Sequence, residues 1–141
     1  MAKFVLYKNE GKIYKLEAEL PPSDAYVIFE LDAETPDDIV YENGQIRLKT
    51  EAEKLTEEKQ RKLAELKKYT ASLLEQTDYV VIRIAEAETF GDTETAEQLR
   101  QKYATQLQQR QAIRQWNEQM KQAIRNAETL DELRNLEIRY V

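Results

Sequence analysis

The chain has 141 residues, 41% hydrophobic and 34% charged, with a formal net charge of −6 and neither Cys nor His. Lacking both, it has no thiol nucleophile, disulfide, thiolate metal site or imidazole chemistry, and no apolar run approaches the roughly 18 residues of a membrane span. The net charge is −4 over residues 1–50, −2 over 51–90 and zero over 91–141, so no basic block is present to neutralise phosphates, and nucleic acid is not an expected partner.

All three prolines (Pro21, Pro22, Pro36) and two of the three glycines (Gly11, Gly44) precede residue 50. Gly and Pro are the main punctuation of backbone structure. Their placement divides the chain into a β-hairpin-rich head, 1–50, and a helical region, 51–141, with a break near 89–93. The opening Met1–Lys8 meets a charge at Lys3 and reads as the start of a strand, not as a signal peptide. Phe4–Tyr7 and Ile13–Ala18 flank turn chemistry at Lys8–Lys12 and predict a hairpin. Pro21 and Pro22, which cannot donate hydrogen bonds, end it. Ala25–Leu31, β-branched and aromatic, is the strongest strand. After the acidic loop Asp32–Asp38, Ile39–Lys49 predicts a second hairpin. Its tip, Asn43-Gly44, favours the positive φ angles of a type I′ turn. Four or five short strands are thus expected in one small antiparallel sheet.

From Thr50 the period changes. Thr50 and Glu53 have capping-box spacing, and Leu55, Leu63, Leu66, Thr70 and Leu73 fall on one face of a helix over about 51–76. Residues 77–88 are ambiguous. Tyr79–Ile82 has strand propensity, whereas Val80 with Ile84, and Val81 with Ala85, would share a helical face that follows an N-cap at Thr77 or Asp78. Helices on both sides favour helix. Phe90–Thr93 is a break, and Thr93–Asn126 reads as one uninterrupted helix with nine glutamines between residues 98 and 122. A seam runs along it through Leu99, Tyr103, Gln106, Arg110, Ile113, Asn117, Met120, Ile124 and Ala127. Two readings stay open: a helix packed on its neighbour, or a coiled coil in which buried Asn117 or Gln106 sets register in a homo-oligomer. Trp116 is expected to anchor a helix–helix contact. Thr129 and Glu132 form a second capping-box pattern before a short helix with Leu130, Leu133 and Leu136, and Ile138–Val141 reads as an extended tail. The fold class is α+β: a small N-terminal antiparallel β head followed by a long helical hairpin or coiled-coil region.

Catalytic chemistry is not visible. The neighbouring carboxylates Asp37–Asp38, Glu86/Glu88 and Asp131–Glu132 read as solvated loop or helix-end residues. No phosphate-binding glycine loop or calcium loop occurs, and neither serine, Ser23 or Ser72, sits in a nucleophile elbow. The expectation is a non-enzymatic protein without cofactor or metal.

Leu73–Glu86 (LLEQTDYVVIRIAE), Tyr103 and Gln109–Asn117 (QRQAIRQWN) together resemble a pattern in small bacteriophage tail proteins of the tail-fibre and tail-fibre-assembly type. That pattern is a leucine-rich helix, Thr-Asp-Tyr or Thr-Asp-Trp, an apolar stretch ending in a basic residue and Glu, and a helix with two arginines four apart. Ala127–Leu133 resembles the closing segment of these proteins and Asp37–Leu48 the β part that precedes it. The chain departs from the pattern in its longer Gln-rich helix and in lacking a Gly-Pro turn after Glu86. The resemblance implies a virion structural component or an assembly factor that works by protein–protein contact with other tail or fibre proteins, as a possible homo-oligomer. It places the protein in the virion tail, or in the host cytoplasm during assembly, with no membrane partner. The competing reading is a cellular adaptor or chaperone-like module with no phage link. Interaction candidates are Tyr79, Tyr103, Arg110, Arg114, Trp116 and Asn117, because aromatics and Arg dominate hot spots. Arg110 and Arg114 are expected to pair with Asp78 or Glu86 across a helical hairpin.

Overall fold

A computed structural model describes all residues, Met1–Val141, as two compact units, Met1–Lys54 and Leu55–Val141. The expected α+β class is observed: five short strands precede five helices.

In the first unit, β1 (Ala2–Tyr7) is the central strand of a three-stranded antiparallel sheet, between β2 (Lys12–Lys15) and β3 (Tyr26–Leu31). Phe4, Val5 and Leu6 are all buried although successive side chains alternate between faces, so both faces of this strand are covered. Phe4 stacks on its cross-strand partner Phe29 at 5.8 Å, and on the opposite face Tyr7 meets Tyr14 and Tyr26 edge-on. β4 (Ile39–Glu42) and β5 (Gln45–Leu48) form a separate two-stranded ribbon, so the single sheet expected from sequence is two sheets. The reason is the turn of 3-10 helix at Pro36–Asp38, where Pro36 fixes φ and redirects the chain before β4 can join β3. At the ribbon's tip Asn43 and Gly44 take φ of 52° and 76°, the type I′ geometry expected of Asn-Gly.

α1 (Glu51–Glu75) opens with a reciprocal cap. The Glu53 amide donates to Thr50 Oγ1, and Glu53 Oε1 accepts from the Thr50 amide at 3.0 Å. Arg47 adds a two-pronged ion pair to the same carboxylate, at 2.6 and 3.1 Å. The Arg47 pair first, and the Thr50 amide second, hold the Glu53 carboxyl down at about 2.

The second unit is a long helical hairpin. α1 and α2 (Asp78–Thr89) form one arm; α3 (Thr93–Lys102) and α4 (Ala104–Asn126) form the other. Antiparallel pairing follows from contacts whose numbers fall on one arm as they rise on the other. Lys59 Nζ donates to the Arg125 carbonyl, Thr70 to Asn117, Arg110 to the Leu74 carbonyl and Arg83 to Tyr103, and Glu88 pairs with Arg100. The ambiguous segment is helix, as favoured, over Asp78–Thr89. Tertiary packing overrides the strand propensity of Tyr79–Ile82, because Val80 and Ile84, four apart, are both buried. Small Ala96, only 1% exposed, lets α2 and α3 approach closely. At the tip Gly91 takes φ 73°, a left-handed helix stop, and Asp92 caps α3 by accepting from the Thr95 amide at 3.0 Å. Hydrogen bonding from the Thr95 side chain first, and from its amide second, lowers the Asp92 carboxyl below its ordinary value.

Two further expectations, both in the helical unit, need correction. The helix over 93–126 is interrupted at Tyr103, whose ψ of 24° ends α3 before α4 begins. Thr77 does not cap α2 through its side chain; its hydroxyl donates back to the Leu74 carbonyl.

The core lies between α1, α4 and the C-terminal segment. Leu66, Ile124 and Leu133 are fully buried, with Leu63, Trp116 and Met120 among the side chains packed around them. Each full burial contributes about 1.5–3 kcal/mol. The second capping pattern forms in part: the Glu132 amide donates to Thr129 Oγ1, starting α5 (Leu130–Asn135), while the Glu132 carboxylate accepts from the Glu128 amide in place of that of Thr129. Beyond it the chain is extended along α1, in the same direction, with Lys62 Nζ on the Leu136 carbonyl and the Tyr140 amide on the Tyr69 hydroxyl.

Candidate interaction site

The hairpin's two arms are both broken helices, and one side chain serves the first break. Arg110, on α4, is 7% exposed. Its Nη1 reaches the Leu74 carbonyl at 2.7 Å, Thr77 Oγ1 at 3.0 Å and Asp78 Oδ1 at 2.9 Å. These atoms lie at the carboxyl end of α1 and the amino end of α2. A cation beside the last carbonyls of α1 is favoured by that helix's dipole, and Asp78 in the first turn of α2 is favoured by the other. The Thr-Asp and Arg elements, 32 residues or more apart in sequence, therefore meet in one clasp.

Seven residues toward the tip, the second break carries a separate cluster. Tyr79 and Tyr103 meet edge-on at 5.7 Å, Arg83 donates to the Tyr103 hydroxyl at 3.1 Å while lying 5.9 Å from the Tyr79 ring, and Lys102 lies over the Tyr103 ring at 5.2 Å. Tyr79 is 44% exposed.

The six candidates thus divide. Arg110 pairs with Asp78 as expected. Arg114 does not: it is exposed and makes no ion pair, because four residues further along α4 the register places it opposite α1 between Thr70 and Leu74, away from Asp78. Trp116 is a helix-packing anchor, edge-on to Tyr69 and Tyr140 at 5.7 and 5.5 Å. Asn117 accepts from Thr70 Oγ1 at 2.8 Å, so this polar seam position is satisfied within the chain. Of the clustered candidates only Tyr79 is exposed; Tyr103, like Trp116 and Asn117, is half-buried.

Sequence reading missed the apolar side chains beside them. Val81, Ile82 and Phe90 are 40%, 56% and 84% exposed. The signal was present: once Val80 and Ile84 define the buried face of a helix, Val81 and Ile82 must point elsewhere. No cluster of three or more carboxylates is placed to hold a metal ion, and no helix is long and apolar enough to cross a membrane. The chain matches no protein-family model, no curated protein and no solved structure.

Proposed function

We propose that the chain is a non-enzymatic bacteriophage tail-associated protein, a fibre component or fibre assembly factor, that acts by protein–protein contact through the α2–α3 end of its hairpin. The observation that carries the contact surface is the exposed set Tyr79, Val81, Ile82 and Phe90 on and just beyond α2. Exposed apolar side chains gathered on and just beyond one short helix, in a unit that has a separate buried core, favour an interaction site there. The phage assignment rests on the resemblance of the Thr-Asp-Tyr and two-arginine segments.

The seam of α4 is occupied by α1 and the C-terminal segment of the same chain. That favours an assembly factor, or the adaptor of the competing reading, over a stalk that needs other copies to fill its core. Co-purification with the neighbouring tail-fibre protein tests the proposal. An Ile82→Ser/Phe90→Ser double variant is expected to lose the complex while its thermal midpoint stays within a few degrees, since exposed substitutions usually change stability by about 0.5 kcal/mol or less. An unchanged complex with that variant refutes the surface. No complex with the wild-type chain refutes the phage reading.

A further inference from the structure

β3 is an edge strand, and its outer side is open. The backbone parity follows from two bonds flanking the sheet: the Lys8 amide donates to the Ala25 carbonyl, and the Leu16 amide to the Lys3 carbonyl. With the register Leu6↔Val27 and Phe4↔Phe29, the residues of β3 that bond to β1 are Val27, Phe29 and Leu31. Tyr26, Ile28 and Glu30 turn their amides and carbonyls outward, where no backbone partner meets them. The strand carries no Pro and one charge, and Val27 and Ile28 are 40% and 42% exposed on its opposite faces. Such an edge is a template for another strand unless something blunts it. On the Ile28 face the strand borders an open groove of mixed character, in which Leu16, Ala18 and Leu20 lie among Lys3, Glu17 and Glu19.

The charge around this edge selects its occupant. Glu17 and Glu19 line the groove, Glu30 lies in the strand, and Asp24 and Asp32 flank it. The one cation of the groove, Lys3, is 4.0 Å from Glu30. A second copy is disfavoured. The antiparallel register that joins all the outward groups of two β3 strands is centred on Ile28, and it sets Asp24 of each copy against Asp32 of the other. Like charges directly opposite are destabilising.

We propose that the β3 edge accepts an extended segment of a partner protein by strand addition, a segment with alternating apolar residues and Lys or Arg at both ends. Backbone bonds to Tyr26, Ile28 and Glu30 supply affinity, an apolar side chain enters the groove beside Ile28, and the terminal cations meet the acidic flanks. This surface is independent of the hairpin end.

The probe is a nine-residue peptide of alternating Val and Thr with Lys at both ends, compared with the same peptide ending in Glu. The readout is amide hydrogen exchange and chemical shift in the full chain. In the free protein the amides of Tyr26, Ile28 and Glu30 are expected to exchange fast and those of Val27, Phe29 and Leu31 slowly. With the Lys peptide the first three are expected to slow by about tenfold or more. The Glu peptide, and the Lys peptide on a Glu30→Lys variant with native-like chemical shifts, are expected to bind at least about threefold more weakly. Equal binding of both peptides, or no protection at millimolar Lys peptide, overturns the proposal. So does protection of these three amides that rises with protein concentration alone, which would assign the edge to a second copy.

Discussion

Removing the Arg110 guanidinium tests whether a polar clasp holds the broken arm of the hairpin together. In Arg110→Met the volume is roughly kept and three hydrogen bonds are lost, to Leu74, Thr77 and Asp78. Breaking a fully buried pair costs about 3–5 kcal/mol. Here the partners soften the loss. Asp78 is 49% exposed and regains water, and the Leu74 carbonyl keeps the Thr77 amide and hydroxyl. The expected cost is therefore about 2–3 kcal/mol, most of it from hydrogen bonds made by a charged donor. For a helical unit the size of Leu55–Val141 this lowers the thermal midpoint by about 10–20 °C. Urea unfolding followed by far-UV circular dichroism measures the free energy directly. Asp78→Asn, at the solvated end of the ion pair, is expected to cost less than about 1 kcal/mol. A loss below about 0.5 kcal/mol for Arg110→Met would refute the reasoning, because apolar packing alone would then be holding α1 to α2.

Four further outcomes are expected. Asn117→Ala strands the buried Thr70 hydroxyl and should cost about 1–2 kcal/mol, whereas Thr70→Val combined with Asn117→Leu should be near neutral, read by urea unfolding of all three proteins. Leu133→Ala, at a fully buried site of the short α5, should cost about 2–5 kcal/mol and change the emission of the single Trp116, which packs in the same core. The Tyr26 hydroxyl is buried without a hydrogen-bond partner, so Tyr26→Phe should be neutral or stabilising by thermal melt; a clear loss would point to a bond to ordered water. Glu53 has its carboxyl held at about 2, below the unfolded value near 4.5, so its contribution is full above that unfolded value and is lost as pH falls from about 4.5 to 2. The stability gap between wild type and Glu53→Gln should accordingly close across that window, and a gap independent of pH would count against the Arg47–Glu53–Thr50 arrangement.

Much of this protein was decided locally. Asn43-Gly44, the Thr50/Glu53 cap, the Thr129 cap and the Gly91 stop are features in which a few adjacent residues carry their own geometry, and all of them form as the sequence predicts. The α+β division at residue 50 follows from where Gly and Pro lie, and the helical face of Leu63, Leu66 and Thr70 from its period. What the sequence could not decide depends on partners distant along the chain. Tyr79–Ile82 has the propensity of a strand, and only the packing of Val80 and Ile84 against the other arm makes it helix. Arg110 and Arg114 are indistinguishable in sequence; α1 ends opposite one and not the other, so one is buried in a clasp and the other is in solvent. Asn117 could have met its own copy or a neighbour, and the hairpin register gives it Thr70. The same holds for the two candidate surfaces. Exposure of Ile82 and Phe90 is what remains after α2 buries its other face, and the open edge of β3 exists because Pro36 leads the chain into a separate ribbon and leaves that edge unpaired.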